Sequence, residues 1–134
     1  MRDIGVSARK SSHQLAYATT EQKNNFLEVL ARSLEDNKKS ILKSNLLDLE
    51  KANKSNFDEA FIDRMTLSNS SIKSMCDGLL QVKCLEDLIG KVMNRQKRPS
   101  GIEVCQRSVP IGVIGIIYES RPNVTIDAAA LTIK

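Results

Sequence analysis

From Ile111 to Tyr118 every residue is apolar or glycine, and most are β-branched. A half-exposed strand would alternate polar and apolar side chains, so this run has no face to give to water. It reads as a strand covered on both sides, and such strands belong inside parallel sheets. Gly112 and Gly115 weaken a strand, so their presence here points to another backbone or a ligand approaching closely. Polar residues then arrive together: Glu119, Ser120, Arg121, Asn123 and Thr125. In open α/β sheets ligands bind beyond the carboxyl ends of the strands, which is where this loop would lie. Pro122 fixes its own φ and steers Arg121 away from helical geometry, setting where the next helix begins, with Asn123 or Thr125 as its cap. The free N–H groups of a helix start attract phosphate or carboxylate. A plainer alternative has Asn123 and Thr125 only capping and Arg121 pairing with Glu119.

Upstream, the first three quarters of the chain read as helices. Ile4, Ala8, Leu15, Ala16 and Ala18 form a loose stripe for a first helix, and Thr19 with Gln22 makes a capping box for the second. Phe26, Leu27, Leu30, Ala31 and Leu34 repeat at helical spacing, and Asn37 begins a polar break. Ile41, Leu42, Leu46, Leu49 and Ala52 share one side of a third helix. Asn56 with Glu59 opens a short helix over Phe57 to Met65. Ser68 or Asn69 caps another that carries Ile72, Met75, Cys76, Leu79 and Leu80. The turn Pro99-Ser100-Gly101 ends the helical region, and Ile102 to Val109 follows as a strand.

Composition narrows the classes of function. Hydrophobic residues make up 41% and charged residues 27% of the chain, and no apolar run approaches the ~18 residues that cross a membrane. The start has no apolar core of the kind a secretory signal needs. Cys76, Cys84 and Cys105 are odd in number and lack a CxxC pair, which disfavours a disulfide framework and a zinc site, and no metal is expected. A reducing cytoplasm fits. The net charge is +4, but Lys and Arg alternate with Asp and Glu, and few aromatics are present to stack bases, so nucleic-acid binding is disfavoured. His13 has no partner pattern and reads as a surface or packing residue. Cys76 reads as a small buried hydrophobe, and Cys105, beside Arg107, gives only thin evidence of a reactive thiol.

The stretch PIGVIGIIYESRPNVTIDAAAL, together with Phe61 to Leu67 and Arg98-Pro-Ser-Gly101, resembles the γ-glutamyl phosphate reductases, also called glutamate-5-semialdehyde dehydrogenases, of the aldehyde dehydrogenase superfamily. The fold class this implies is α/β, with N-terminal helices leading into the first strand and helix of a truncated dinucleotide-binding domain. The division expected is a helical segment over 1–108 that ends in a strand, and the first β–α unit of an incomplete cofactor-binding domain over 109–134. The resemblance implies NADPH-dependent reduction of γ-glutamyl phosphate to glutamate-5-semialdehyde and phosphate, in proline biosynthesis. It also implies glutamate 5-kinase as an upstream partner and a homo-oligomer at full length. By the same analogy Ile117, Tyr118 and Glu119 lie along the cofactor, and Asn123 or Arg121 donates to the acyl oxygen. Ser120 and Arg121 then contact substrate, Arg121 gripping its phosphate or carboxylate. Without a GxGxxG fingerprint, cofactor use rests on the resemblance alone.

None of the three cysteines matches the family's nucleophile, so the chain is expected to be an N-terminal piece, inactive alone, whose isolated strand is prone to pairing or aggregation. Two other classes stay open: a non-catalytic helical interaction module, as from a gene remnant, and a basic nucleic-acid binder.

Overall fold

Polar caps fix three of the helix starts. The computed structural model describes residues 2–134, in the order α1 (Arg2–Leu15), α2 (Thr20–Asp36), α3 (Lys38–Lys54), α4 (Glu59–Met65), α5 (Asn69–Cys84), β1 (Val92–Lys97), β2 (Glu103–Arg107) and α6 (Pro122–Ile133). Thr19 caps α2 in a reciprocal box with Gln22, and Ser68 caps α5 in a second box with Ser71. Each box gives partners to amides that the first helical turn leaves without intrahelical acceptors. Helix α4 starts later than Asn56 and Glu59 suggest. Asp58 is its cap, accepting from the Phe61 N–H at 2.6 Å, while Asn56 turns the chain at φ 54. An amide side chain tolerates that left-handed backbone, so Asn56 acts as a turn residue.

The chain forms two compact units, one of Thr19–Leu85 with Gly115–Lys134, the other of the segment ending at Ala18 with Glu86–Ile114. In the first, α2 packs along α5 and α5 along α6. Leu27, Ala31 and Leu34 of α2 meet Ile72, Met75 and Leu79 of α5, with Ala130 of α6 completing the core. Leu27 and Ile72 are fully buried, and each such side chain contributes ~1.5–3 kcal/mol by leaving water. Helix α3 is less regular than its spacing suggests: Ala52 is buried, Leu46 is exposed, and the buried position between Ile41 and Ala52 belongs to Asn45.

The second unit holds α1, which buries no side chain, and an antiparallel ribbon of β1 and β2. The expected strand after Gly101 is present, shortened to Glu103–Arg107. Its partner β1 falls in the stretch read as helical, and that reading is corrected. Val92–Lys97 is mostly polar and its side chains are almost all exposed, so it carries no apolar alternation to mark it as a strand. The turn between them closes through Gly101, at φ 88, whose N–H donates to Arg98 O at 2.9 Å. The register shifts between Met93 and Gln96, with Asn94 at φ 50. This is a β-bulge, and the Asn94 amide is tied across the ribbon to Gln106 Oε1 at 2.6 Å.

The run that dominates the sequence behaves differently from expectation. Residues 111–118 form no strand and are exposed throughout, Ile117 completely so. The reason is that among the described residues no parallel neighbour is available, and an unpaired segment cannot form a ladder. Nor does any other group come within 4 Å of a side chain built at Gly112 or Gly115. Gly112 is required instead by its φ of 103. The mixed α/β class holds, with its strand content in the ribbon. No helix among the described residues is long and apolar enough to cross a membrane.

Candidate functional site

The polar loop after Tyr118 is locally tight. Ser120 sits at φ 46, and the Arg121 N–H donates back to Glu119 O at 2.6 Å, a three-residue turn. With Pro122 at the first helical position, the cap falls on Arg121, whose side chain makes no capping bond. Asn123 and Thr125 are therefore inside α6 and do not cap it. A proline at this position needs no N–H partner and is already set to helical φ, which moves the boundary ahead of both residues.

Each expected site residue has a definite place. Asn123 is partly buried in the first turn of α6, and its Nδ2 donates to Asp127 Oδ2 at 3.2 Å. Tyr118 OH and Thr125 Oγ1 share a short hydrogen bond that ties the segment before the loop to α6. Glu119 and Arg121 are exposed, and no ion pair joins them among the described residues. The Ser120 hydroxyl is buried without a hydrogen-bond partner among those residues. Ile117 is bare to solvent. The loop thus ties Tyr118 to α6 and leaves Ile117, Glu119 and Arg121 exposed.

Asn123 also opens onto a cleft of about 310 Å³, shared with Arg64, Thr66, Ser71, Ser74 and Asp127. Three elements build it: the end of α4, the first half of α5 and the first turns of α6. Asn45 of α3 secures the α4 side, its Nδ2 donating to Met65 O at 2.8 Å and its Oδ1 accepting from Leu67 N at 2.9 Å. Phe57 and Phe61 stack with centroids 4.5 Å apart, and the Arg64 guanidinium lies 6.0 Å from the Phe61 ring centre. The Arg64 Nε–H is buried and has no acceptor among the described residues. The sequence marks Phe57 to Met65 as a helix and Phe61 to Leu67 by resemblance, but nothing in it joins Arg64, Ser74 and Asp127 to Asn123. Their distance along the chain leaves no local pattern to join them.

The thiols stand apart from this cleft. Cys84 and Cys105 are exposed, whereas Cys76 is half-buried and donates to Ala31 O at 3.4 Å. Burial, helped by the carboxylates of Glu35 and Asp77, pushes the Cys76 thiol up from its ordinary pKa. No group of three or more potential metal ligands occurs among the described residues.

No family model matches the chain. Solved structures do. The γ-glutamyl phosphate reductase of Thermotoga maritima superposes with a TM-score of 0.90 at 37% identity, over 94% of this chain and 30% of its own. That of Saccharomyces cerevisiae gives a TM-score of 0.91 at 30% identity, over 98% of this chain and 33% of its own. Helices, ribbon and loop-led helix together are those of an α/β reductase. Within that class the chain belongs to the γ-glutamyl phosphate reductase family, and it spans about a third of the length of these two relatives.

Proposed function

We propose that the chain is the N-terminal part of an NADPH-dependent reductase that converts γ-glutamyl phosphate to glutamate-5-semialdehyde and phosphate in proline biosynthesis. The observation that carries this reading is the match to the Thermotoga maritima reductase, 37% identical over 94% of the chain. The chain's own residues would bind and polarise substrate, while the nucleophile comes from outside this stretch. A cysteine thiolate attacks the acyl carbon, phosphate leaves with the electrons of the broken bond, and a thioester remains. NADPH, when bound, supplies the hydride that takes the thioester to the aldehyde.

Ile117 and Tyr118 offer exposed apolar side chains suited to the flat face of a nicotinamide ring, and Glu119 offers a carboxylate for a hydroxyl. Negative charge gathers on the acyl oxygen during displacement, and the Asn123 amide is the donor proposed for it. Its second N–H remains available beside the one given to Asp127. Arg121, exposed and without a carboxylate partner among the described residues, is the group proposed to grip the phosphate, with Ser120 beside it. A reducing cytoplasm suits three free thiols, and the reductase would act after glutamate 5-kinase as a homo-oligomer.

The test is Asn123→Ala in a reductase-length protein carrying this segment. Turnover of γ-glutamyl phosphate is expected to fall by ~10²–10³-fold, the usual loss for one oxyanion donor, with the thermal midpoint little changed. An unaltered rate would remove Asn123 from the chemistry. Absence of hydride transfer in the unsubstituted protein would remove the function.

A further inference from the structure

We infer that the cleft between α4, α5 and α6 binds the zwitterionic end of an α-amino acid, with Arg64 taking the α-carboxylate and Asp127 the α-ammonium. The inference rests on the proposed reductase reading and deepens it by naming the residues that recognise the amino-acid half of the substrate. Arg64 lines the cleft, and its guanidinium forms no ion pair among the described residues. A carboxylate approaching end-on accepts from the two terminal nitrogens of the guanidinium together, the two-point geometry in which guanidinium differs from ammonium.

Charge decides what kind of acceptor fits. Asp127 lines the same cleft, and only its Oδ2 is engaged, by the Asn123 amide. A free phosphate or a dicarboxylate would meet Arg64 but be repelled by Asp127, and a simple amine would meet the reverse. A molecule with one carboxylate and one ammonium on the same carbon satisfies both. The cleft's volume of about 310 Å³ is that of a small-molecule site. Asn123 lines this cleft as well, so the residue proposed to act on the acyl group borders the amino acid seated there.

The test uses the ¹⁵N-labelled chain under conditions where it is monomeric, following the Arg64 Nε–H signal. Three probes are titrated: L-glutamate, glutarate, which lacks the ammonium, and 4-aminobutyrate, which lacks the α-carboxylate. L-Glutamate is expected to shift the signal saturably, and each comparator to bind at least about tenfold more weakly, the loss of one charged contact. Asp127→Asn, at an exposed position, should abolish the preference for L-glutamate over glutarate. Arg64→Lys should weaken L-glutamate by about tenfold or more, because one ammonium cannot replace a two-point guanidinium contact. No saturable shift, or an equal response to L-glutamate and glutarate, would overturn the inference. Turnover plays no part in this readout. Binding in the cleft by a chain whose reductase-length form transfers no hydride would therefore overturn the reductase proposal and leave the cleft standing.

Discussion

At the residue scale, one amide does more than its position suggests. Asn45 is buried on the face of α3 that otherwise carries Ile41 and Ala52, and it partners two backbone groups at and just beyond the end of α4, Met65 O and Leu67 N. Asn45→Ala is expected to lower stability by ~1–3 kcal/mol, the cost of stranding buried polar groups, measured as a shift of the urea midpoint. It should also broaden the Arg64 resonances, since Arg64 directly precedes the anchored segment. An asparagine in an apolar stripe is a signal the sequence carries, but the two groups it serves could not be named without the structure. Cys76 was more legible, because its helical spacing put it on the core side of α5. Its raised thiol pKa and its partial burial together predict that iodoacetamide at neutral pH labels Cys84 and Cys105 at least severalfold faster, as peptide mapping will show.

At the scale of elements, α2 and α5 are joined by a cross-helix ion pair as well as by their core. Lys83 Nζ lies 2.7 Å from Glu28 Oε2, and Arg32, one turn along α2, pairs with the other carboxylate oxygen. The hydrogen bond from Lys83 comes first, then the charges of Lys83 and Arg32, and together they hold the Glu28 carboxyl below its ordinary range. A carboxyl depressed in the folded state binds its proton less readily there than in the unfolded chain. The stabilisation is therefore full above the unfolded value of ~4.3 and is lost as pH falls through the lower folded one. Urea midpoints taken downward from pH 5 should decline, and Glu28→Gln should remove that part of the decline; identical slopes would exclude the pair.

Element boundaries followed the sequence where a side chain closes its own helix, as at Thr19 with Gln22 and at Ser68. They departed from it where two signals compete. Asp58 took the cap from Asn56, and Pro122 moved the cap of α6 ahead of Asn123. Strand β1 was invisible because Val92–Lys97 buries almost nothing on either face. Of the site, the loop residues 118–125 were found because polar groups follow an apolar run. The α4 and α5 sides of the cleft were not, because only tertiary packing brings them to Asn123.

For the molecule as a whole, the outstanding feature is uncovered apolar chain. Val109, Ile111, Ile117 and their neighbours through Tyr118 are exposed, and an apolar run tells what it seeks to bury without telling whether the partner strands are at hand. Such a segment is β-prone, uncharged and hungry for backbone partners. The isolated chain is expected to self-associate with rising concentration in sedimentation velocity, and Ile117→Lys should suppress this, since a charge on an unpaired strand discourages stacking. Concentration-independent sedimentation of the unsubstituted chain would count against it.

Among the described residues the ribbon of β1 and β2 is unpaired on its outer sides too, but the bulge at Asn94 gives it another fate. A regular two-stranded ladder offers any newcomer a matching row of donors and acceptors, and it can also slide by one residue and turn its side chains over. With Asn94 out of step and bolted to Gln106, neither the slide nor the match is available along that stretch. Recruitment of further copies should therefore begin at the exposed apolar tract and spare the hairpin, whose misfit works as a lock against being copied.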